Sequence, residues 1–262
     1  MISFMFHHFS DPGAEFPSVK IRFCHYESRF MDELLANARD CEEREMGYAG
    51  VNMSHEIVLI KGSREIEGRY IEYVSGLTEK KFVPVGPLVQ EPDDQKSSSE
   101  LLSWLDQKEA KLTVFVSFGC ENFLSKEDMD GIAHGLLQSK AKFIWVVRFP
   151  ETEVVLVEKL PEGFLDKSFK FGVPIVAVPM HLDQPINARL VEEVGAGEEV
   201  LRNGDGRPNA ETVAAVINRV VVEDGVRAKV DEVKARLALM GDGEIDEVAR
   251  ELMSICSKSL IN

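Results

Sequence analysis

Basic residues are in short supply. Thirty lysines and arginines face 45 aspartates and glutamates, a formal net charge of -15. Such a chain repels a phosphate backbone instead of releasing its counterions, which argues against nucleic acid as a partner. Cysteine is scarce too: Cys24, Cys41, Cys120 and Cys256 stand far apart, with no Cys-x-x-Cys pair and no histidine at zinc-ligand spacing. Neither a disulfide framework nor a metal site is indicated, and a reducing cytoplasm fits best. Long apolar runs are also missing. The opening "MISFMFHHFSDPG" is too short to span a bilayer and lacks a basic leader and a small-residue cleavage site, so it is expected to be a core strand or helix and the chain not to be a membrane protein. No Gly-x-Gly-x-x-Gly follows a predicted strand, which weighs against a nicotinamide-dependent oxidoreductase.

What is present is enough for a buried core: 262 residues, 44% of them apolar, in one large domain or two small ones. Residues 1–82 mix short apolar runs with acidic helical stretches. "VKIRF" (19–23) and "EIVLIKG" (56–62) read as strands, and "RFMDELLANARDCEERE" (29–45) has the 3.6-residue period of a surface helix. From Val83 the periodicity gives way to "VPVGPLVQEPDDQKSSS", whose prolines, paired aspartates and serine run mark an exposed connection. The expected division is a partial N-terminal domain over 1–82, a linker over 83–100 and a C-terminal domain over 101–262.

The second half has an α/β rhythm. "LTVFVSFG" (112–119), "KFIWVVR" (142–148) and "VPIVAVPM" (173–180) read as strands of a parallel sheet covered on both faces. Between the first two, Ser125 and Asp128 approximate a capping box, and Ile132, Leu136 and Leu137 are expected to form the apolar face of the helix. Three helical stretches follow from Asn209 onward. Strand, helix, strand indicates a doubly wound α/β fold. Three strands are fewer than such a domain usually has, and between "LPEGFLD" (160–166) and "FKFGVPIVAV" (169–178) the chain has almost nothing where a β-α unit is expected.

The segment "VPMHLDQPINARL" (178–190) places Asp183 and Gln184 where a strand ends and a helix begins. Pro185 suits the first helical position, which makes Gln184 the expected N-cap, and the helix should stop at Gly195 or Gly197. In open α/β sheets this carboxyl edge is where ligands bind. A carboxylate accepts two hydroxyl hydrogens and a carboxamide donates and accepts, a pair that suits a polyhydroxylated ring. On these residues alone, Asp183 satisfying the helix start is the simpler reading.

The stretches "FVPVGPL", "LLSWLDQKE", "TVFVSFGC", "KFIWVVRFP", "LPEGFLD" and "FGVPIVAVPMHLDQPINARLVEEVGAG", in this order, resemble the plant UDP-dependent glycosyltransferases of specialised metabolism. The wording of "REIEGRYIEYVS" and "PMHLDQPINARL" is similar to the branch-forming group that adds a sugar to the sugar of a glycoside. The resemblance implies two facing Rossmann-like halves (GT-B), with the acceptor held mainly by the first and the UDP-sugar by the second. It implies that Asp183 and Gln184 bond the hexose hydroxyls, with His181 beside them. It also implies that the turn at Gly119 and Cys120 meets the diphosphate. The family usually has Ser or Thr at the position of Cys120; a thiol donates weakly, so any phosphate contact there rests on backbone amides, and a buried cysteine closing a strand is an equal reading.

The departures shape the expectation for activity. The family's Trp-Ala-Pro-Gln and His-Cys-Gly-Trp-Asn-Ser stretches are absent, as though roughly 40 residues, somewhat more than one β-α-β unit, were deleted near 166–169. The start of the first domain, where the family keeps its catalytic histidine, has no counterpart either, so no catalytic residue is assigned. The resemblance thus implies inverting transfer of a hexose, glucose first, from UDP-sugar to a small-molecule acceptor such as a glycoside or aglycone. UDP-sugar is a substrate and no cofactor is needed. Weak or no turnover is expected of this shortened chain. The alternative is a non-catalytic remnant that binds ligands or self-associates through uncovered sheet.

Overall fold

The computed structural model describes residues 2–10, 13–37, 50–86, 105–109, 111–118, 124–146 and 172–259. The helices are α1 (Ile2–Ser10), α2 (His25–Asn37), α3 (Arg64–Thr78), α4 (Lys126–Gln138), α5 (Gln184–Glu193), α6 (Ala210–Val222), α7 (Asp224–Met240) and α8 (Gly243–Ser259). The strands are β1 (Ile57–Ile60), β2 (Lys81–Pro84), β3 (Thr113–Val116), β4 (Lys142–Trp145), β5 (Ile175–Ala177) and β6 (Gly197–Glu199). Among the described residues they make three parallel pairs, β1 with β2, β3 with β4 and β5 with β6. Each pair flanks one helix in sequence, the β-α-β arrangement that parallel neighbours require.

Two compact units result. One comprises Met1–Leu88, His181–Leu190 and Val233–Asn262, the other Val89–Met180 and Val191–Glu232. The break after Leu88 lies inside the 83–100 stretch. The grouping is not one of consecutive segments, however, because the chain returns to the first unit twice.

In the first unit Phe6, Val51, Ile71, Val74 and Phe82 form a buried cluster, with Val58, Ile60 and Leu77 packed on it. The opening segment is therefore a helix with a buried aromatic face. The start of α3 is held from two directions. Ser63 caps it by accepting the Glu65 N–H, and the buried Glu244 carboxylate of α8 accepts the Arg64 N–H at 2.6 Å. Negative charge at a helix N-terminus is favourable. Further ion pairs tie the same returning segment to the N-terminal residues: Arg64–Glu247 at 2.7 Å, Lys81–Glu251 at 2.6 Å, Lys258–Glu56 at 2.8 Å, and Arg236–Glu65.

In the second unit Ile132 and Leu136 of α4 pack with Val213, Val216, Ile217 and Val220 of α6. Ser125 caps α4 by accepting the Asp128 N–H, and its hydroxyl donates to the Asp128 carboxylate at 2.7 Å. Leu137, expected on the apolar face, is 72% exposed, because it lies about 100° around the helix from Leu136.

Three strand expectations change. Val83 and Pro84, expected to open the exposed connection, are instead buried residues of β2, paired with Leu59 and Ile60 of β1. Residues 19–22 form bends and Phe23 is irregular, with Val19 exposed and Ile21 buried. Conversely β6, a Gly-Glu-Glu segment, pairs with β5, Ile175 opposite Gly197. Only glycine fits there, since a Cβ on Gly197 would lie 2.1 Å from the Ile175 carbonyl oxygen. Among the described residues no helix is long and apolar enough to cross a membrane.

Candidate functional site

His181, Leu182, Asp183 and Gln184 form one tight turn at the start of α5. Leu182 sits at φ 54°, left-handed backbone, and the Gln184 N–H donates to the His181 carbonyl at 3.2 Å. The His181 N–H in turn donates to Gln184 Oε1 over a long 3.4 Å. The first helical bond runs from the Asn187 N–H to the Asp183 carbonyl at 3.0 Å, so the cap is Asp183, one residue earlier than the Pro185 rule places it. Asn187 also donates from Nδ2 to Asp183 Oδ2 at 2.9 Å, fixing the carboxylate across one helical turn. This bond orients the carboxylate. His181 Nδ1 is buried and has no hydrogen-bond partner among the described residues. Buried polar atoms are nearly always satisfied, which makes this nitrogen an exception.

The helix carrying the turn is anchored by a buried charge pair. Arg189 lies six residues beyond Asp183, and its Nη1 and Nη2 donate to Glu27 Oε2 and Oε1, both at 2.8 Å. Nη1 also reaches the Arg22 carbonyl. Glu27, in the first turn of α2, is 5% exposed and accepts the Cys24 N–H at 2.7 Å. Burial pushes its carboxyl up. The Arg189 and Cys24 hydrogen bonds and the Arg189 charge outweigh that effect and hold it below the ordinary carboxylate value. At the far end α5 stops in a Schellman turn, with Gly195 at φ 77°, its N–H on the Glu192 carbonyl and the Ala196 N–H on the Val191 carbonyl.

Of the residues named from sequence, Asp183, Gln184 and His181 come together in this turn. Gly119, Cys120 and the 166–169 junction lie outside the described residues. Asn187 and Arg189 emerge only from the structure. The four-residue spacing of Asp183 and Asn187 was a visible signal for the first, whereas Glu27 and Arg189 are too distant in sequence to advertise the second.

No protein-family model matches the chain. It is 39% identical over 305 aligned positions to the beta-D-glucosyl crocetin beta-1,6-glucosyltransferase of Gardenia jasminoides, which covers 99% of this chain and 69% of that protein. It is 41% identical to a mogroside IIIx synthase of Siraitia grosvenorii, over 77% of this chain and 52% of that one. The first alignment is longer than the chain's 262 residues, so the Gardenia protein carries stretches within it that have no counterpart here. Among solved structures, the O. sativa protein Os79, crystallised with U2F and trichothecene, superposes with a TM-score of 0.72 at 19% identity, covering 97% of this chain and 70% of that one. The chain belongs to the plant UDP-dependent glycosyltransferases and shares their GT-B fold.

Proposed function

We propose that this protein serves transfer of a hexose from UDP-sugar to a small-molecule acceptor, and that Asp183 and Gln184 hold the hexose. The observation that carries this is the Asp183 carboxylate, fixed by Asn187 at a helix start with Gln184 beside it. In the transfer an acceptor hydroxyl oxygen bonds to the anomeric carbon as the bond from that carbon to the diphosphate oxygen breaks, UDP leaving with the electron pair and the hydroxyl proton passing to water. A sugar clamp contributes by holding the anomeric carbon where the attacking oxygen arrives. Asp183 accepts hydrogens from hexose hydroxyls, and Gln184 supplies a carboxamide to the same ring.

Glucose is the proposed hexose and a glycoside the proposed acceptor, because the Gardenia relative is named as a glucosyltransferase of a glucosyl compound. The N-terminal unit is proposed to serve the acceptor and the other unit the nucleotide end of the donor, with the backbone at Gly119 and Cys120 proposed at the diphosphate. The cytosol is the proposed compartment, which imaging a fluorescent fusion in plant cells checks.

The chain spans 52% of one relative and 69% of the other, and turnover is expected to be slow. Incubation with UDP-glucose and a panel of glycosides should give a glucosylated product whose rate falls at least tenfold in Asp183→Ala, the loss of one charge-assisted contact. Transfer that is indifferent to Asp183, or absent with every glycoside, counts against the proposal.

A further inference from the structure

The Glu27 carboxylate serves two helices at once. Cys24 precedes α2: its carbonyl accepts the Ser28 N–H at 2.9 Å, and its own N–H donates to Glu27 Oε2 at 2.7 Å, the backward half of a capping box. The same carboxylate receives both Nη atoms of Arg189. One buried side chain therefore fixes the start of α2 and holds α5 against it.

Stability alone is a weak reason for such a pair. Two buried charges lose their hydration, and apolar side chains of similar volume often stabilise as well or better. What a fork onto both carboxylate oxygens adds is geometry, because it sets the angle and register of the helix that carries the guanidinium. Arg189 follows Asp183 by six residues, roughly 9 Å along α5 at about 1.5 Å per residue. Between them lies Asn187, whose Nδ2 donates to the Asp183 carboxylate at 2.9 Å. A slide or roll of this short helix on α2 is thus carried to the turn at its start. Leu182 and Asp183 of that turn border the same space as Met31, one turn beyond Glu27 on α2.

We infer that Glu27 and Arg189 are positioning residues for hexose binding: their fork holds the Asp183–Gln184 turn where its carboxylate meets the sugar hydroxyls. What the turn holds rests on the transfer reading above; how the turn is held is the new element.

Isothermal titration with UDP-glucose and with UDP separates hexose binding from nucleotide binding. Two conservative variants test the pair. Arg189→Lys keeps the charge without the fork, and Glu27→Gln keeps an oxygen for the Cys24 N–H without the charge. In each, the ratio of the UDP-glucose Kd to the UDP Kd should rise about three- to tenfold, since a shift of about 1 Å spoils a hydrogen-bonded contact. The Kd for UDP itself should stay within about twofold, as UDP has no hexose for the turn to hold. Asp183→Ala is the reference, with a rise in the ratio of about tenfold. Circular dichroism melts set a temperature at which the variants are folded, and either variant of the pair suffices should the other not fold. A purely structural role lowers the melting temperature and leaves the ratio unchanged, or weakens both nucleotides alike. Either result in a folded variant of the pair, alongside a raised ratio in Asp183→Ala, overturns the inference and leaves the transfer reading standing. An unchanged ratio in Asp183→Ala, or no binding of UDP-glucose to the unmodified protein, removes that reading and the inference with it.

Discussion

Replacing Arg189 with alanine is expected to lower the melting temperature by roughly 10 °C, from a loss of about 3 kcal/mol. The substitution leaves Glu27, 4% exposed at its side chain, without the guanidinium that forks onto both its oxygens. The Arg22 carbonyl loses its donor as well. Removing one member of a buried pair costs more than the pair is worth, because the remaining charge has lost its solvation and its partner together. The pH dependence distinguishes this cause from simple loss of packing. Glu27 has a folded-state pKa below its ordinary value, so its contribution is fully present above the unfolded carboxylate pKa and is lost as pH falls through the folded one. Protonated Glu27 no longer needs the guanidinium. The gap in melting temperature between the two proteins should therefore narrow on acidification toward the carboxylate range. A gap that stays constant from neutral pH to that range would show that the pair does not carry the effect.

Gly135→Ala is expected to destabilise the second unit by about 1–2 kcal/mol, against the usual preference for alanine in a helix. A Cβ on Gly135 would lie 2.5 Å from Val213 Cβ and 2.9 Å from the Ala210 carbonyl oxygen. Gly131, one turn earlier, faces Pro208 in the same way, its Cβ 2.5 Å from the Pro208 carbonyl oxygen. The two glycines let α4 approach α6 and the residues leading into it at backbone distance. Alanine gains about 1 kcal/mol of helix propensity, but parting two packed helices costs about 1–3 kcal/mol, and here the neighbours include backbone that does not rotate away. Gly76 in α3 has nothing within 4 Å of its Cβ position, so Gly76→Ala should stabilise by about 0.5–1 kcal/mol. Opposite signs in urea melts of the two variants confirm the contrast; equal effects would mean the α4–α6 seam is looser than described.

The features that were legible in the sequence are those written locally. β1, β3, β4 and β5 fall inside apolar runs visible in the chain, and the Ser125, Asn209 and Gly195 signals mark helix ends that the structure has. The features that were not legible depend on distant partners. β6 has a polar composition and is a strand only because β5 lies beside it and Gly197 admits the Ile175 carbonyl. The short alternation at 19–23 lacked such a partner. Leu182 in left-handed backbone shifted the helix cap from Gln184 to Asp183, and no local rule asks for leucine there. Glu27 meets Arg189 across more than half the chain, and the return of α8 to the first unit depends on ion pairs whose members are equally far apart.

The central claim is that the Asp183–Gln184 turn grips the hexose of the donor, and saturation-transfer NMR with UDP-glucose addresses it without requiring turnover. Saturating the protein should transfer signal to the glucose ring protons, and that signal should be lost in a double variant, Asp183→Ala with Gln184→Ala, whose melting temperature shows it to be folded. Glucose protons that receive no saturation from the unmodified protein, or that receive the same saturation from the double variant, would contradict the assignment.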